Sequence, residues 1–261
     1  MASIPEYQVE KVPDDLAPFF TRFLKLDFQT EESVTIPARP TGHIYLGMIA
    51  KGKTRASAEG NSFHAHSGQI HLSGQLTTFD AEYELIGSTE HYLAEFTATG
   101  AYRFFERDLG TLVNQMEISD ELDVRGDRFD TFLAHLRGLA SAAGPEQPRV
   151  LSAVAEIEKA RGNIRVVDLA EDLGLSERQL RRDFTRIVGM APKPFAMVQR
   201  VLSALQLMAA NPKIDMADLV YEAGFSDQPH LIRVFQLYMR ATPSNLKLDD
   251  DGVLRSIVAG A

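Results

Sequence analysis

The chain has 261 residues, room for one large or two ordinary domains, and its 44% hydrophobic and 24% charged content is that of a soluble globular protein. It contains no cysteine, which excludes disulfides, cysteine nucleophiles and zinc-thiolate sites and fits a reducing compartment. The formal charge of −9 argues against a polyanionic partner until it is divided: residues 1–147 hold 12 Lys/Arg against 22 Asp/Glu, whereas residues 148–248 hold 14 against 11.

In chain order, the opening MASIPEYQVEKVPDD lacks the basic-then-apolar pattern of a secretory signal. No apolar run approaches the ~20 residues that span a bilayer, so a cytoplasmic protein without a membrane partner is expected. Ala17–Leu26 reads as a short helix with Pro18 in its first turn. Short β-like runs follow at His43–Ile49, Gln69–Leu72, Glu82–Ile86 and His91–Thr97, broken by Gly60-Asn61, Ser67-Gly68, Gly74 and Gly87-Ser88. Tyr92, Ala94 and Phe96 alternate with Leu93 and Glu95, the pattern of half-buried antiparallel strands. Arg103–Met116 and Arg128–Leu139 read as helices. The Phe19-Phe20…Phe23 run and Phe104-Phe105 read as core.

Ala140–Pro148 (ASAAGPEQP) reads as a linker, and from Arg149 onward the patterns are helical only. Val150–Arg161 places Leu151, Val154, Ala155 and Ile157 at three-to-four spacing. Val167–Leu173, Ser176–Val188, Phe195–Ala210, Met216–Ala223 and Gln228–Tyr238 follow, with a last turn near Ser244–Leu248. The expected fold class is α+β: a β-rich domain over residues 1–140, a cupin-like barrel or sandwich with flanking helices, then a linker at 141–148. An all-α domain over 149–248 and an acidic tail at 249–261 complete the division.

The helical part contains an internal repeat. Leu169 and Leu219, Gly174 and Gly224, and Ser176 and Ser226 are 50 residues apart; Leu180/Leu231, Arg182/Arg233, Phe184/Phe235 and Pro192/Pro243 are 51 apart. Each unit is a short helix, a turn entered through Gly, a Ser or Asp cap and a longer helix that ends before Pro, the grammar of a helix-turn-helix. In the first long helix Leu180, Phe184 and Ile187 mark the buried side, leaving Arg178, Arg181, Arg182 and Thr185 on the other. Guanidiniums on one exposed stripe suit guanine edges and phosphates, because each is a planar, permanently charged fork. A solvated charged face is the ordinary alternative for an isolated helix; duplication of the unit argues against it.

The stretches VVDLAEDLGLSERQLRRDFTRIVGMAPKPF, QRVLSALQLM and VYEAGFSDQPHLIRVFQLYMRATPSNL resemble the DNA-binding domain of the AraC/XylS family of transcription regulators, over residues of about 150–247. The resemblance implies two recognition helices in successive major-groove segments of double-stranded DNA, joined by the rigid helix Phe195–Ala210. It assigns base reading to Arg178, Arg181, Arg182, Gln228, His230 and Arg233. Three positions depart from the family: Pro229 replaces a small polar residue, Arg240 stands where the family prefers Gly, and Val220 where it prefers Ala. PARPTGHIYLGM…HLSGQLTTF…AEFTATGAYRFF resembles amino-terminal domains found ahead of such modules. That implies sensing of a small-molecule effector or homodimerisation, with no cofactor and no catalytic residue.

Two motifs point elsewhere. Gly47-Met-Ile-Ala-Lys-Gly52-Lys53-Thr54 satisfies the phosphate-loop pattern GxxxxGK[ST], yet RASAEGNSFHAHSG after it offers no helix to aim amides at a phosphate, so a strand ending in a charged hairpin turn is expected. His64-Ala65-His66, with His71, resembles the metal-binding histidines of cupins, since imidazoles two apart on a strand share a face. No Glu follows at the expected interval, and turn and surface histidines are the expectation, with no metal. The rival function is thus a metal-dependent cupin or nucleotide-binding enzyme carrying an accessory DNA-binding domain. A DNA alkyl-transfer protein is excluded, because it needs a cysteine acceptor.

Overall fold

The computed structural model describes residues 5–77, 81–123 and 125–246. Its first part is an antiparallel sheet of β1 (Gln8–Glu10), β2 (Phe20–Phe28), β3 (Ser33–Pro37), β4 (Tyr45–Ala58), β5 (Asn61–His66), β6 (Gln69–Ser73), β7 (Glu82–Phe96) and β8 (Met116–Glu121). The strand order is β1-β2-β7-β4-β6-β8, with β3 also on β7 and β5 also on β4. Helices α1 (Gly100–Phe105) and α2 (Arg128–Ser141) flank the sheet. Phe20, Phe23, Leu46, Tyr92, Phe96 and Phe132 fill the main core between sheet and helices. The aromatic runs are therefore core, with Phe20 and Phe96 stacked at 4.6 Å and Phe104 edge-on to both.

Residues Ala17–Leu26 do not form the expected helix. A turn closed by Leu16 and Ala17 N–H on the Pro13 carbonyl leads straight into β2. Both faces of β2 are buried at its centre, so its apolar residues do not alternate cleanly, and a short continuous apolar run cannot be told from a helix by periodicity. Arg103–Met116 is likewise not one helix. Glu106 takes a left-handed conformation (φ 46°) that ends α1, Asp108 caps a 3-10 turn over Leu109–Leu112, and β8 begins at Met116.

The expected strands Glu82–Ile86 and His91–Thr97 are one strand, β7, and Gly87-Ser88 is an irregularity within it rather than a turn. Opposite, between Ile49 and Lys53, the ladder of β4 shifts register. Gly52 (φ 89°) passes so close to the Ser88 carbonyl that a Cβ would meet that oxygen at 2.5 Å. The glycine of the phosphate-loop pattern thus serves a bulge. The strand does not end in a hairpin turn there but continues to Ala58, and no helix opens after Thr54.

The second part is helical: α3 (Pro148–Lys159), α4 (Val166–Asp172), α5 (Glu177–Val188), α6 (Pro192–Ala210), α7 (Met216–Glu222) and α8 (Gln228–Met239), with a 3-10 turn over Pro243–Asn245. Its core joins Val154, Ile157, Phe184, Phe195, Leu205 and Phe235. In α3 the buried stripe is Val150, Ala153, Val154 and Ile157, so the expected Leu151 and Ala155 face outward, one position out of phase. No helix among the described residues is long and apolar enough to cross a membrane.

Candidate nucleic-acid interface and interior cavity

The repeat builds two units of the same element order and lengths, α4 with α5 and α7 with α8. Each turn passes through a left-handed glycine, Gly174 (φ 65°) and Gly224 (φ 70°), a conformation an L side chain resists. Ser176 accepts from the Gln179 N–H while the Gln179 side chain accepts from the Ser176 N–H, a capping box worth about 1 kcal/mol. In the second unit Asp227 accepts from the His230 N–H at 2.7 Å, and Pro229 sits in the first turn, where no amide is needed. The hydrogen bonds from the His230 amide and Ser226 hold the Asp227 carboxyl below its usual range.

Leu180, Phe184 and Ile187 turn inward, and Arg178, Arg181 and Arg182 are brought together, exposed, on the opposite face of α5. Arg182 Nε donates to Asp183 at 2.9 Å. On α8, Gln228 and Arg233 are exposed. His230 is half-buried, its ring edge-on to Phe225 with Nδ1 3.0 Å from Ser226 Oγ. Helix α6, 19 residues and roughly 28 Å long, joins the units.

Sequence reasoning missed the contacts that the sheet domain makes with these helices. Gln75 Nε2 donates to the carbonyl of Val188, the last residue of α5, at 3.1 Å, and also to the Gly42 carbonyl at 2.8 Å. Arg39 Nη1 donates to the carbonyl of Met239, the last residue of α8, at 3.2 Å. Arg186 of α5 donates to the Tyr102 hydroxyl at 2.6 Å and lies over its ring. Gly110 lies against Thr185, close enough that a Cβ would meet Thr185 Cγ2 at 2.8 Å. The arginine-bearing stripe of α5 is therefore open at its arginine end and covered at Thr185. Single polar residues in loops carry no periodic signal that would have announced these contacts.

The sheet domain also holds a half-open cavity of about 180 Å³. One wall carries Arg22, paired with Glu95 at 2.8 Å; Thr21 and Tyr45 complete the coordination of that carboxylate, each at 2.6 Å. Burial acts to raise the Glu95 carboxyl, but His43, Arg22 and the hydrogen bonds from Arg22 and Thr21 outweigh it and hold it below the usual range. Another wall carries a chain of neutral groups: Tyr7 hydroxyl to His91 Nδ1 at 2.9 Å, His91 Nε2 to His71 Nε2 at 2.9 Å, and His71 Nδ1 to Ser73 Oγ at 3.1 Å. Burial pushes His71 down to about 4, and burial with the neighbouring His71 pushes His91 well below its ordinary value. His71 is thus buried on β6, contrary to the expectation of a surface histidine, because its strand lies between β4 and β8, whereas His64 and His66 are exposed on β5. Among the described residues no group of three or more His, Cys, Asp or Glu is placed to hold a metal.

Comparison with known proteins fits this geometry. The helix-turn-helix domain family matches residues 169–248. The transcriptional activator RhaS of Escherichia coli (strain SE11) is 28% identical over 87 residues, 33% of this chain and 31% of that protein. The virulence regulon transcriptional activator VirF of Yersinia enterocolitica is 29% identical over 79 residues, 30% of this chain and 29% of that protein. The chain thus spans about a third of the length of the curated relatives it matches. Apo ToxT from Vibrio cholerae strain SCE256 shares the fold, with a TM-score of 0.52 at 12% identity over 85% of this chain and 95% of that one. ToxT from Vibrio cholerae O395 bound to (E)-4-(8-methylnaphthalen-1-yl)but-3-enoic acid gives 0.51 at 11% identity over 90% and 99%. With its two glycine-turned units, capped longer helices and connecting helix, the C-terminal part of this chain is a helix-turn-helix domain, similar to those of regulators of the AraC/XylS family.

Proposed function

We propose that the protein is a cytoplasmic, sequence-specific transcription regulator rather than an enzyme, and that it reads two adjacent major-groove segments with α5 and α8. The observation that carries this is the exposed triplet Arg178, Arg181 and Arg182 on a helix whose other face is locked into a duplicated unit. Arg178, Arg181 and Arg182 read or clamp the first segment; Gln228, His230 and Arg233 read the second. Pro229 costs α8 little, and the side chain of His230, held by Ser226 and Phe225, contacts the duplex in one fixed orientation. Residues 1–140 receive the signal, a small molecule in the sheet cavity, and 141–148 connect them to the DNA-binding residues 149–248. The ligand-bound state of ToxT, a protein of the same fold, supports a small-molecule effector. A homodimer formed through residues 1–140 would raise operator affinity through effective concentration.

The test is binding-site selection from random duplex DNA with the full chain. A recovered consensus bound with a steep negative salt dependence is the expected result. Folded protein that enriches no sequence and binds no DNA at low salt would refute the proposal.

A further inference from the structure

The two helix-turn-helix units touch each other directly, and the contact bears on how they share a duplex, an inference that rests on the DNA-reading role proposed above. The first unit is entered through the turn after α3. There Gly162 (φ 73°) lies against α6: a Cβ would stand 1.9 Å from the Ala196 carbonyl oxygen and 2.8 Å from the Arg200 amide nitrogen. The second unit turns at Gly224, where a Cβ would meet the Asn163 side chain at 2.9 Å. The turn of one unit is therefore seated on the turn that leads into the other.

One side chain joins all three elements. Arg200 projects from the middle of α6, and its Nη2 donates to the Gly162 carbonyl at 2.8 Å and to Asn163 Oδ1 at 3.4 Å. The same guanidinium lies over the Phe225 ring at 5.7 Å. Phe225 is buried, and its ring meets His230 of α8 edge-on at 5.4 Å. Contacts thus run without a break from the entrance of the first unit, through Arg200 and Phe225, to His230 on the second recognition helix.

Charge makes this placement costly. Arg200 is half-buried, burial lowers its pKa, and among the described residues no carboxylate pairs with it. Its Nε is buried without a partner. A cation desolvated against a carbonyl, an amide and a ring face gains little net stability. What the arginine adds is direction, because a planar fork held on Gly162 and over Phe225 specifies one angle between the two turns.

That angle is read on DNA. Two recognition helices on one face of a duplex fit segments about one helical turn apart, and one inserted base pair rotates the second segment by about 35°. Units free to rotate about α6 would follow the insertion, whereas units held together at Arg200 would not. We propose that Arg200, acting through Phe225, is a positioning residue that fixes the angle between the two recognition helices and so makes the protein discriminate operator spacing.

Fluorescence anisotropy with the full chain compares the selected operator with versions carrying one base pair more or one fewer between its two segments. The parent chain should lose about tenfold or more on either altered spacing, the scale of a mismatch in a specific site. In Arg200→Ala, and in Phe225→Leu, which keeps an apolar side chain, that ratio should fall to about threefold or less. Arg200→Lys keeps a cation above the ring and should give an intermediate ratio. Variants that lose affinity equally on all three spacings would overturn the proposal and make Arg200 a phosphate contact or a stability residue. A second measurement needs no DNA. Because the chain has no cysteine, Glu171→Cys with Tyr221→Cys puts one spin label at an exposed position of each unit, on α4 and on α7. Double electron–electron resonance should give one narrow distance in the labelled parent and a broader distribution once Arg200→Ala is added. Equal widths in folded samples would also overturn the proposal. If Arg200→Ala does not fold, Phe225→Leu and Arg200→Lys carry both measurements. A parent chain that binds no operator but shows the broadening refutes the DNA-reading role and leaves the positioning role standing.

Discussion

Arg182 illustrates what one side chain is asked to do. Its Nε donates to Asp183, and the proposed reading gives its outer nitrogens to the duplex. Arg182→Ala is expected to cost about 1–3 kcal/mol on selected operator DNA and little on random DNA, by fluorescence anisotropy; equal losses on both would make it a phosphate contact. Arg240 is the converse case. It ends α8 at φ 48°, where the first unit has Gly189 at φ 90°, so the departure from the family's glycine leaves an L residue in the left-handed region. Arg240→Gly should stabilise the chain by roughly 0.5–1 kcal/mol in urea titrations, and a loss of stability would show that the arginine side chain outweighs its backbone. Lys53 is exposed on β4, and Lys53→Ala should leave ATP titrations, stability and DNA binding unchanged. Micromolar ATP binding that disappears in that variant would restore the phosphate loop.

At the scale of elements, legibility followed the source of each signal. Helices α4 to α8 were legible because their burial stripes repeat every three to four residues and their ends carry Ser176, Asp227, Gly174 and Gly224, local chemistry that needs no tertiary partner. Strand β2 was misread because it is buried on both faces, a property of its neighbours that its own residues do not encode. Strand β7 was split in two because Gly87-Ser88 looks like a turn, whereas the pairing of β4 across a bulge carries the strand through. His71 and His91, 20 residues apart, meet only because β6 and β7 both flank β4, so the cavity cluster had no linear signature. The docking of α5 on the 3-10 turn Leu109–Leu112 is equally non-local. Gly110→Val would drive a side chain into Thr185, and is expected to destabilise the chain by roughly 1–3 kcal/mol in thermal melts. An unchanged melting temperature would contradict the closeness of that contact.

The whole molecule joins an acidic sheet domain to a DNA-binding pair of helices through donors that end on both recognition helices, Gln75 on α5 and Arg39 on α8. The buried histidines tie its stability to pH. His71 is held at about 4 in the fold against 6.5 when exposed, so the unfolded chain binds the extra proton between those values. The contribution is complete above about pH 6.5 and is lost on acidification toward pH 4, by about 3 kcal/mol from His71 alone. Urea unfolding at pH 7.5 and pH 5 should show about 2 kcal/mol of this drop, reduced in His71→Gln; an equal drop in that variant would place its origin elsewhere. The central claim, two recognition helices on one duplex, is tested most directly by hydroxyl-radical footprinting of the full chain on its selected operator. The account predicts two protected segments on one face of the DNA, about one helical turn or ~10 base pairs apart, with Arg182→Ala weakening the first and Arg233→Ala the second. A single protected segment, or two that respond identically to both substitutions, would contradict it.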